Sequence, residues 1–247
     1  MWNRDTPWRQ GQLLSSDAVA VLGLGDSTDT SQLLVIVASH DCDLAQSPDV
    51  EPAIAVVVGR LITNKDGNCT HAKNPRKLHI ELAGARCWGE FEATSKRFIN
   101  KTALSAFMPR TDVRLSPESN ATFQLWLASR YRRSAFPEEF ESRLTRETKL
   151  AEKIAKAVKP HGELITGVFF DVDEGSEVSR HGPEDTYTLD ITILHSAEPD
   201  FAAADQAATA VARAIETAFK EKLLSPSKNW QHIELRSCEA VSESVLT

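Results

Sequence analysis

Ser39-His40-Asp41-Cys42-Asp43-Leu44 places five polar or reactive side chains in six positions, directly after the apolar run Leu33-Leu34-Val35-Ile36-Val37-Ala38. A buried strand that ends in such a string is a rigid mount for an exposed group, which is where sites are commonly built. Several chemistries fit. In one, Cys42 is a nucleophile. A thiol needs a base or a positive field to become a thiolate, and His40, two residues away, would share its face of a strand. The flanking Asp41 and Asp43 work against this, because a neighbouring negative charge favours the neutral thiol. In another, His40 and Cys42 bind zinc with a second pair, Cys69 and His71, four ligands of the type that closes a tetrahedral site. The spacing within each pair is one residue shorter than usual. In a third, His40, Asp41 and Asp43 line a polar pocket that orients a substrate or a magnesium ion. The bland alternative is that the aspartates cap a turn while Cys42 sits in the core.

A second string, Arg130-Tyr131-Arg132-Arg133, closes a helical pattern. Three guanidiniums could hold phosphates while the tyrosine stacks on a base. The same residues also suit a helix C-terminus through the macrodipole. Glu147-Thr148-Lys149 has the acidic-x-Lys form of metal-dependent DNA-cleaving folds, but it falls on an expected helix without an upstream strand aspartate, so it reads as chance. The chain has no phosphate-binding glycine loop, no Gly-x-Ser-x-Gly elbow and no His-Glu-x-x-His.

The elements that would position these groups fall into three regions of an α+β protein: a β-rich, barrel-like part over 1–115, a basic helical segment over 116–160, and an α+β unit over 161–247 with a small sheet and one long helix, the three expected to pack as one compact body. In the first, Leu33–Ala38 and Ala53–Val58 are apolar runs of the kind buried on both faces, the second extended by Leu61-Ile62. Asn64-Lys65-Asp66-Gly67-Asn68 reads as a hairpin turn. Leu78, Ile80 and Leu82 alternate with Lys77, His79 and Glu81, which puts His79 on the wet face. In the second, Ser116 and Pro117 start a helix carrying Phe123, Trp126 and Leu127. Pro137 starts another, with Phe140, Leu144, Ile154 and Val158 as its stripe, ended by Pro160 and Gly162. In the third, strands are expected over Leu164–Phe170, Thr186–His195 and near Ile233–Leu235. A helix over about 201–224 carries Ala207, Val211, Ile215, Phe219 and Leu223 at four-residue intervals.

The 247 residues carry a net charge of −7, distributed unevenly: −4 over residues 1–95, +7 over 96–160 and −10 over 161–247. The basic middle suits a phosphate backbone or an acidic protein surface, its own included. No apolar run reaches the length of a membrane span and the first residues lack a secretory h-region. Four scattered cysteines do not make a disulfide framework. A cytoplasmic protein that does not enter the membrane is expected.

Gly11-Gln12-Leu13-Leu14, then Leu33–Ser39, then Ala53–Val58 resemble the strand order of the PemK/MazF-like toxin barrels. The resemblance implies a barrel and an RNA-directed activity. It covers about 60 residues, and the Arg-Pro whose arginine assists cleavage in that family is replaced here by Ser31-Gln32. The string Ser39-x-x-Cys42-Asp43-Leu44 also resembles that of uncharacterised bacterial proteins of phage-defence neighbourhoods. Together these give the functional expectation: a bacterial, nucleic-acid-directed toxin or defence protein, in its enzymatic form a nuclease with His40 as base, Asp41 or Asp43 orienting it, and Arg130, Arg132 and Arg133 on phosphate. The rival expectation is a non-catalytic binding or assembly subunit of a larger complex, meeting a protein partner through its acidic C-terminal unit and its basic middle.

Overall fold

The computed structural model describes residues 2–25, 32–83, 87–132, 136–176, 180, 182, 185–223 and 233–245. They form two compact units.

The first unit comprises residues 1–65 and 69–132. Its elements are α1 (Ser16–Val21), β1 (Leu33–Val37), α2 (Asp41–Leu44), β2 (Ala53–Ile62), β3 (Lys77–Leu82), β4 (Cys87–Asn100), α3 (Lys101–Leu104) and α4 (Pro117–Arg132). The sheet has the order β1-β2-β4-β3 and every pairing is antiparallel. β1 and β2 read as continuous apolar runs because both faces of the sheet are covered. On one face Leu34, Ile36, Ala55, Val57 and Phe91 meet Phe123 and Trp126 of α4. On the other, Val35, Val37, Ile54, Val56 and Ile99 meet Trp2, Trp8, Leu14 and Leu44. α4 begins where Ser116 Oγ accepts the amide of Ser119 at 3.1 Å, the N-cap foreseen from Ser116-Pro117.

Three expectations are corrected here. The sheet is open rather than a closed barrel. β1 and β3 do not pair with each other; β1 is met at its edge by the bridge Leu13–Ile36, and β3 is continued by the bridge Ala83–Arg114. The Asn64–Asn68 turn does not make a hairpin of the strands beside it. β4, whose 14 residues carry no clean alternation, lies between β2 and β3 and pairs with both. His79 is not on a wet face but only 6 % exposed. Strand alternation assigns it to the face away from Leu78 and Ile80, and says nothing of whether that face is covered.

His79 is buried as part of an ionic row. Glu90 on β4 stands in register with Arg60 on β2 and His79 on β3. Its carboxylate accepts from Arg60 Nε at 2.8 Å, meets His79 Nε2 at 2.9 Å, and accepts from Lys77 Nζ at 3.2 Å.

The second unit comprises residues 66–68 and 133–247. It contains α5 (Glu138–Ser142), α6 (Leu150–Val158), β5 (Ile165–Val172), β6 (Tyr187–His195), α7 (Phe201–Leu223) and β7 (Ile233–Ser242). β5 and β6 are antiparallel; β6 and β7 are parallel, and α7 is the crossover that parallel pairing requires. Tyr187, Leu189, Ile191 and Ile193 point to the core with Ala208, Val211, Ile215 and Phe219 of α7. Phe140, Leu144, Ile154 and Val158 join the same core, as their spacing predicted, but not on one helix. Arg143–Glu147 is a π-helical turn, Lys149 adopts φ 58°, and α6 starts afresh after it. The break is chemical: Thr148 Oγ1 donates to the carbonyls of Arg143 and Leu144, at 2.8 and 3.1 Å. The basic segment expected as one region is thus divided, α4 lying in the first unit and α5 and α6 in the second.

Glu90 supplies a pH-dependent part of the first unit's stability. Burial pushes its carboxyl up, but the hydrogen bonds from His79, Lys77 and Arg60 outweigh burial and hold it below its ordinary 4.5. A lowered folded value means that the contribution is present above the unfolded value and lost as pH falls through the folded one. Glu90→Gln should cost about 3 kcal/mol at neutral pH. The penalty should shrink in acid as the pH falls through the lowered folded value and the wild-type carboxyl also takes a proton. Denaturant unfolding of both proteins at the two pH values reads this; an equal penalty at both contradicts it.

Candidate functional site

The string after β1 becomes a turn of helix because His40 caps it. The His40 backbone is extended, its Nδ1 accepts the Cys42 amide at 3.4 Å, and α2 follows. The ring is thereby brought to the Cys42 thiol, with Nδ1 and Sγ 3.1 Å apart. Asp43 Oδ1 lies 3.6 Å from the same sulfur. Cys42 is exposed rather than tucked into the core. Asp41 faces the other way. Its Oδ1 accepts the Gln10 amide at 2.8 Å and ties the N-terminal segment to the turn. Gln10 in turn donates from Nε2 to Ala38 O at 2.8 Å and accepts from Gln124 of α4 at 3.1 Å.

Two buried side chains hold the far end of α2. Lys101, wholly buried, donates from Nζ to Asp43 O at 2.5 Å and to Gln46 O at 3.1 Å. Trp2 Nε1 donates to Leu44 O at 2.8 Å, and its ring lies 5.8 Å from the Lys101 ammonium. These are the carbonyls that a helix end leaves without partners, so the turn is clamped where it would otherwise fray. Burial pushes the Lys101 ammonium's pKa down, while the Glu51 and Asp43 carboxylates hold it up. At the start of the turn, Ser39 Oγ accepts the Ala55 amide at 2.9 Å and fixes the turn to β2.

His40, Asp43 and Ser39 line a cavity of about 500 Å³ between the sheet and α4. Its apolar wall includes Ala53, Ala55, Val57 and Ala93 from the sheet and Trp126 and Leu127 from α4. Its charged groups are Asp43, Glu51 and Lys96. Phe98, 70 % exposed, also borders it, with Lys96 Nζ 5.4 Å from the ring centre.

The other sequence candidates are placed elsewhere. Cys69 is buried and His71 is exposed at φ 52°. Among the described residues no three His, Cys, Asp or Glu side chains converge as metal ligands, so His40, Cys42, Cys69 and His71 are not assembled as a zinc set, nor His40, Asp41 and Asp43 as a magnesium set. α4 runs to Arg132, but the side chains of Arg130, Tyr131 and Arg132, and the whole of Arg133, lie outside the described residues. Gln10, Lys96, Phe98 and Lys101 were missed by sequence reasoning. Lys96 and Phe98 carried a legible signal, a cation and an aromatic two apart on one strand face, once β4 is known to be a strand.

Comparison with protein-family models, with curated proteins and with solved structures finds no match. The site's own geometry therefore carries the functional reading. Among the described residues no helix is long and apolar enough to cross a membrane.

The imidazole geometry decides which proton the site can move. Nδ1 accepts the Cys42 amide, so the neutral ring carries its proton on Nε2. The basic nitrogen then faces the thiol, not the cavity. The pair can pass the thiol proton to Nδ1 and leave a thiolate beside an imidazolium, which gives up the 3.4 Å bond from the Cys42 amide because Nδ1 has one lone pair.

The Lys101 clamp should be essential to this geometry. Lys101→Met, which keeps most of the side-chain volume, should cost the protein about 2 kcal/mol through the lost bonds to Gln46 O and Asp43 O, the second of which still accepts the Gln46 amide at 3.2 Å. Amide hydrogen exchange at Leu44 and Ala45 should speed up more than at Val35 and Val37 of β1. Equal protection of α2 in the two proteins would show that Trp2 and Ser39 hold the turn without the lysine.

Proposed function

We propose that this protein is a thiol-dependent acyl-transfer or hydrolytic enzyme in which Cys42 is the nucleophile and His40 its base. The observation that carries the reading is the 3.1 Å approach of His40 Nδ1 to Cys42 Sγ. Asp43 is the second acceptor within reach of the thiol, at a longer 3.6 Å. Asp41, Ser39 and Lys101 are positioning residues that act through the turn. The accessibility of the four cysteines agrees: Cys42 is exposed, Cys69 is buried, and burial pushes the Cys87 thiol up and the Cys238 thiol up to about 12.

Alkylation by iodoacetamide, followed by peptide mass spectrometry across pH, tests this directly. Cys42 should be modified first of the four thiols at neutral pH. His40→Ala should slow it by roughly tenfold at that pH, as loss of a base does. A Cys42 that reacts at the rate of a simple exposed thiol, unchanged by His40→Ala, rejects the reading.

One observation favours a second reading, the nucleic-acid-directed toxin or defence protein that the resemblance implies. The exposed Phe98 with Lys96 beside it is a surface on which a base can stack next to a phosphate. In its nuclease form His40 would act on the substrate from Nε2, the ring nitrogen that does not meet the thiol. RNA and DNA left uncut by the wild-type protein across several divalent metals would remove that form. Retention of single-stranded RNA that is lost on Phe98→Ala would support the binding form.

A further inference from the structure

We propose that a second cavity of the first unit, of about 640 Å³ and bordered by neither Cys42 nor His40, binds a small phosphate monoester of the size of a nucleotide or a sugar phosphate. The cavity sits beside a strap that joins the two free edges of the sheet. Those edges are β1 and β3. The Arg110 amide donates to Leu13 O at 2.9 Å, and Leu13 is itself bridged to Ile36 of β1. Arg114 O accepts the Ala83 amide at 2.8 Å and so continues β3. The backbone hydrogen bonds thus fix both ends of residues 110–114, and the arginines at those ends line the cavity together with Leu13 and Ala83.

The charge of the lining is one-sided. Arg110 and Arg114 border the cavity, and no aspartate or glutamate does. The chain carries 35 acidic side chains against 28 basic ones, so a purely cationic lining runs against its composition. The cavity beside His40 has the opposite balance, Asp43 and Glu51 against Lys96. Asp112, outside the lining, holds Arg110 by Nε at 3.0 Å and Nη2 at 2.6 Å, which sets the plane of the guanidinium and leaves Nη1 unengaged. Among the described residues the Arg114 guanidinium, Gln12 Nε2 and Thr111 Oγ1 have no hydrogen-bond partner either. Two cations and several unengaged donors select a ligand rich in acceptor oxygens. A phosphate monoester supplies three of them and carries about two negative charges at neutral pH. The volume is more than a bare phosphate fills and lies within the range of about 300–1,000 Å³ typical of small-molecule pockets, so the organic part is taken in as well. Leu13, Leu115 and Pro117 offer it apolar contact. The start of α4 also borders the cavity but is already capped by Ser116, so the arginines carry the recognition.

Titration calorimetry on the full chain, with AMP, ribose 5-phosphate, inorganic phosphate and adenosine as probes, tests the assignment. At least one of the two monoesters should bind, and roughly tenfold more tightly than either inorganic phosphate or adenosine. Binding of AMP alone identifies a nucleotide site, and equal binding of ribose 5-phosphate a sugar-phosphate site. Arg114 is exposed, so Arg114→Gln should leave the fold intact while weakening the bound monoester by roughly tenfold. Phe98→Ala, on the cavity beside His40, should leave that affinity unchanged. Failure of both monoesters to bind at millimolar concentration, or an affinity indifferent to Arg114→Gln, overturns the site. Adenosine bound as tightly as AMP overturns the phosphate contact. Inorganic phosphate bound as tightly as the esters overturns the ester in favour of a free oxyanion. Binding lost on Phe98→Ala places the ligand in the other cavity and overturns the proposal. None of these outcomes depends on the reactivity of Cys42.

Discussion

A buried ammonium is costly unless it is hydrogen-bonded, and Lys101 meets that cost with two backbone carbonyls and the face of the Trp2 ring. Lys101 is the residue after β4, so its position is set by the antiparallel ladder that brings Ala53 opposite Asn100. Its own amide donates to Pro52 O, and its Nζ reaches forward to Asp43 O and Gln46 O. One side chain therefore joins the end of β4, the start of β2 and the turn after β1. Removing the charge leaves Gln46 O without its lysine donor, while Asp43 O keeps the Gln46 amide. The string is exposed, yet buried Lys101 and Trp2 hold its far end and Ser39 its start.

That rigidity has a chemical consequence. A histidine two residues from a cysteine in an extended strand would share its face, but the rings and thiols of such pairs sample many rotamers. Here His40 is an N-cap, and the hydrogen bond from the Cys42 amide fixes both the ring's position and its tautomer. The same bond that starts the helix aims the basic nitrogen at the sulfur. The cap and the thiol meet the same nitrogen, which has one lone pair, so protonating Nδ1 would release the Cys42 amide from the cap.

The apolar content of the fold was legible where burial enforces a period. β1, β2, β3, β6 and α7 all lie where their patterns placed them, because each has a face or a pair of faces packed on a core. β4 was not legible, since its residues serve different surroundings: Phe91 and Ala93 enter one core, Ile99 the other, and Glu90 an ionic row. Missing it turned a four-stranded open sheet into an expected hairpin and barrel. The break at Thr148 was hidden for another reason. A threonine hydroxyl that takes carbonyls from the preceding turn leaves the apolar spacing of Leu144 and Ile154 untouched, so the stripe survives while the helix does not. In the site, the string itself stood out by composition, but Gln10 and Lys101 reach it across 31 and 58 residues of sequence. No local pattern records such contacts.

The open sheet and the cavity have a common origin. A barrel of this size would close its strands on one another and fill its interior with side chains. Here the bridges at Leu13 and Ala83 meet the sheet at its edges with one residue pair each, and α4 supplies the lid that closure would have supplied. Phe123 and Trp126 fill the space above Phe91, where the sheet presents large side chains. Nearer the turn, β2 and β4 present alanines at 53, 55 and 93, and α4 presents Ala128. Large residues at these positions would extend the core up to His40 and bury the ring's approach. Small ones leave a void that packing alone disfavours, because a lining without partner atoms forfeits dispersion contacts. The fold thus gives up packing beside His40, on the side of α4.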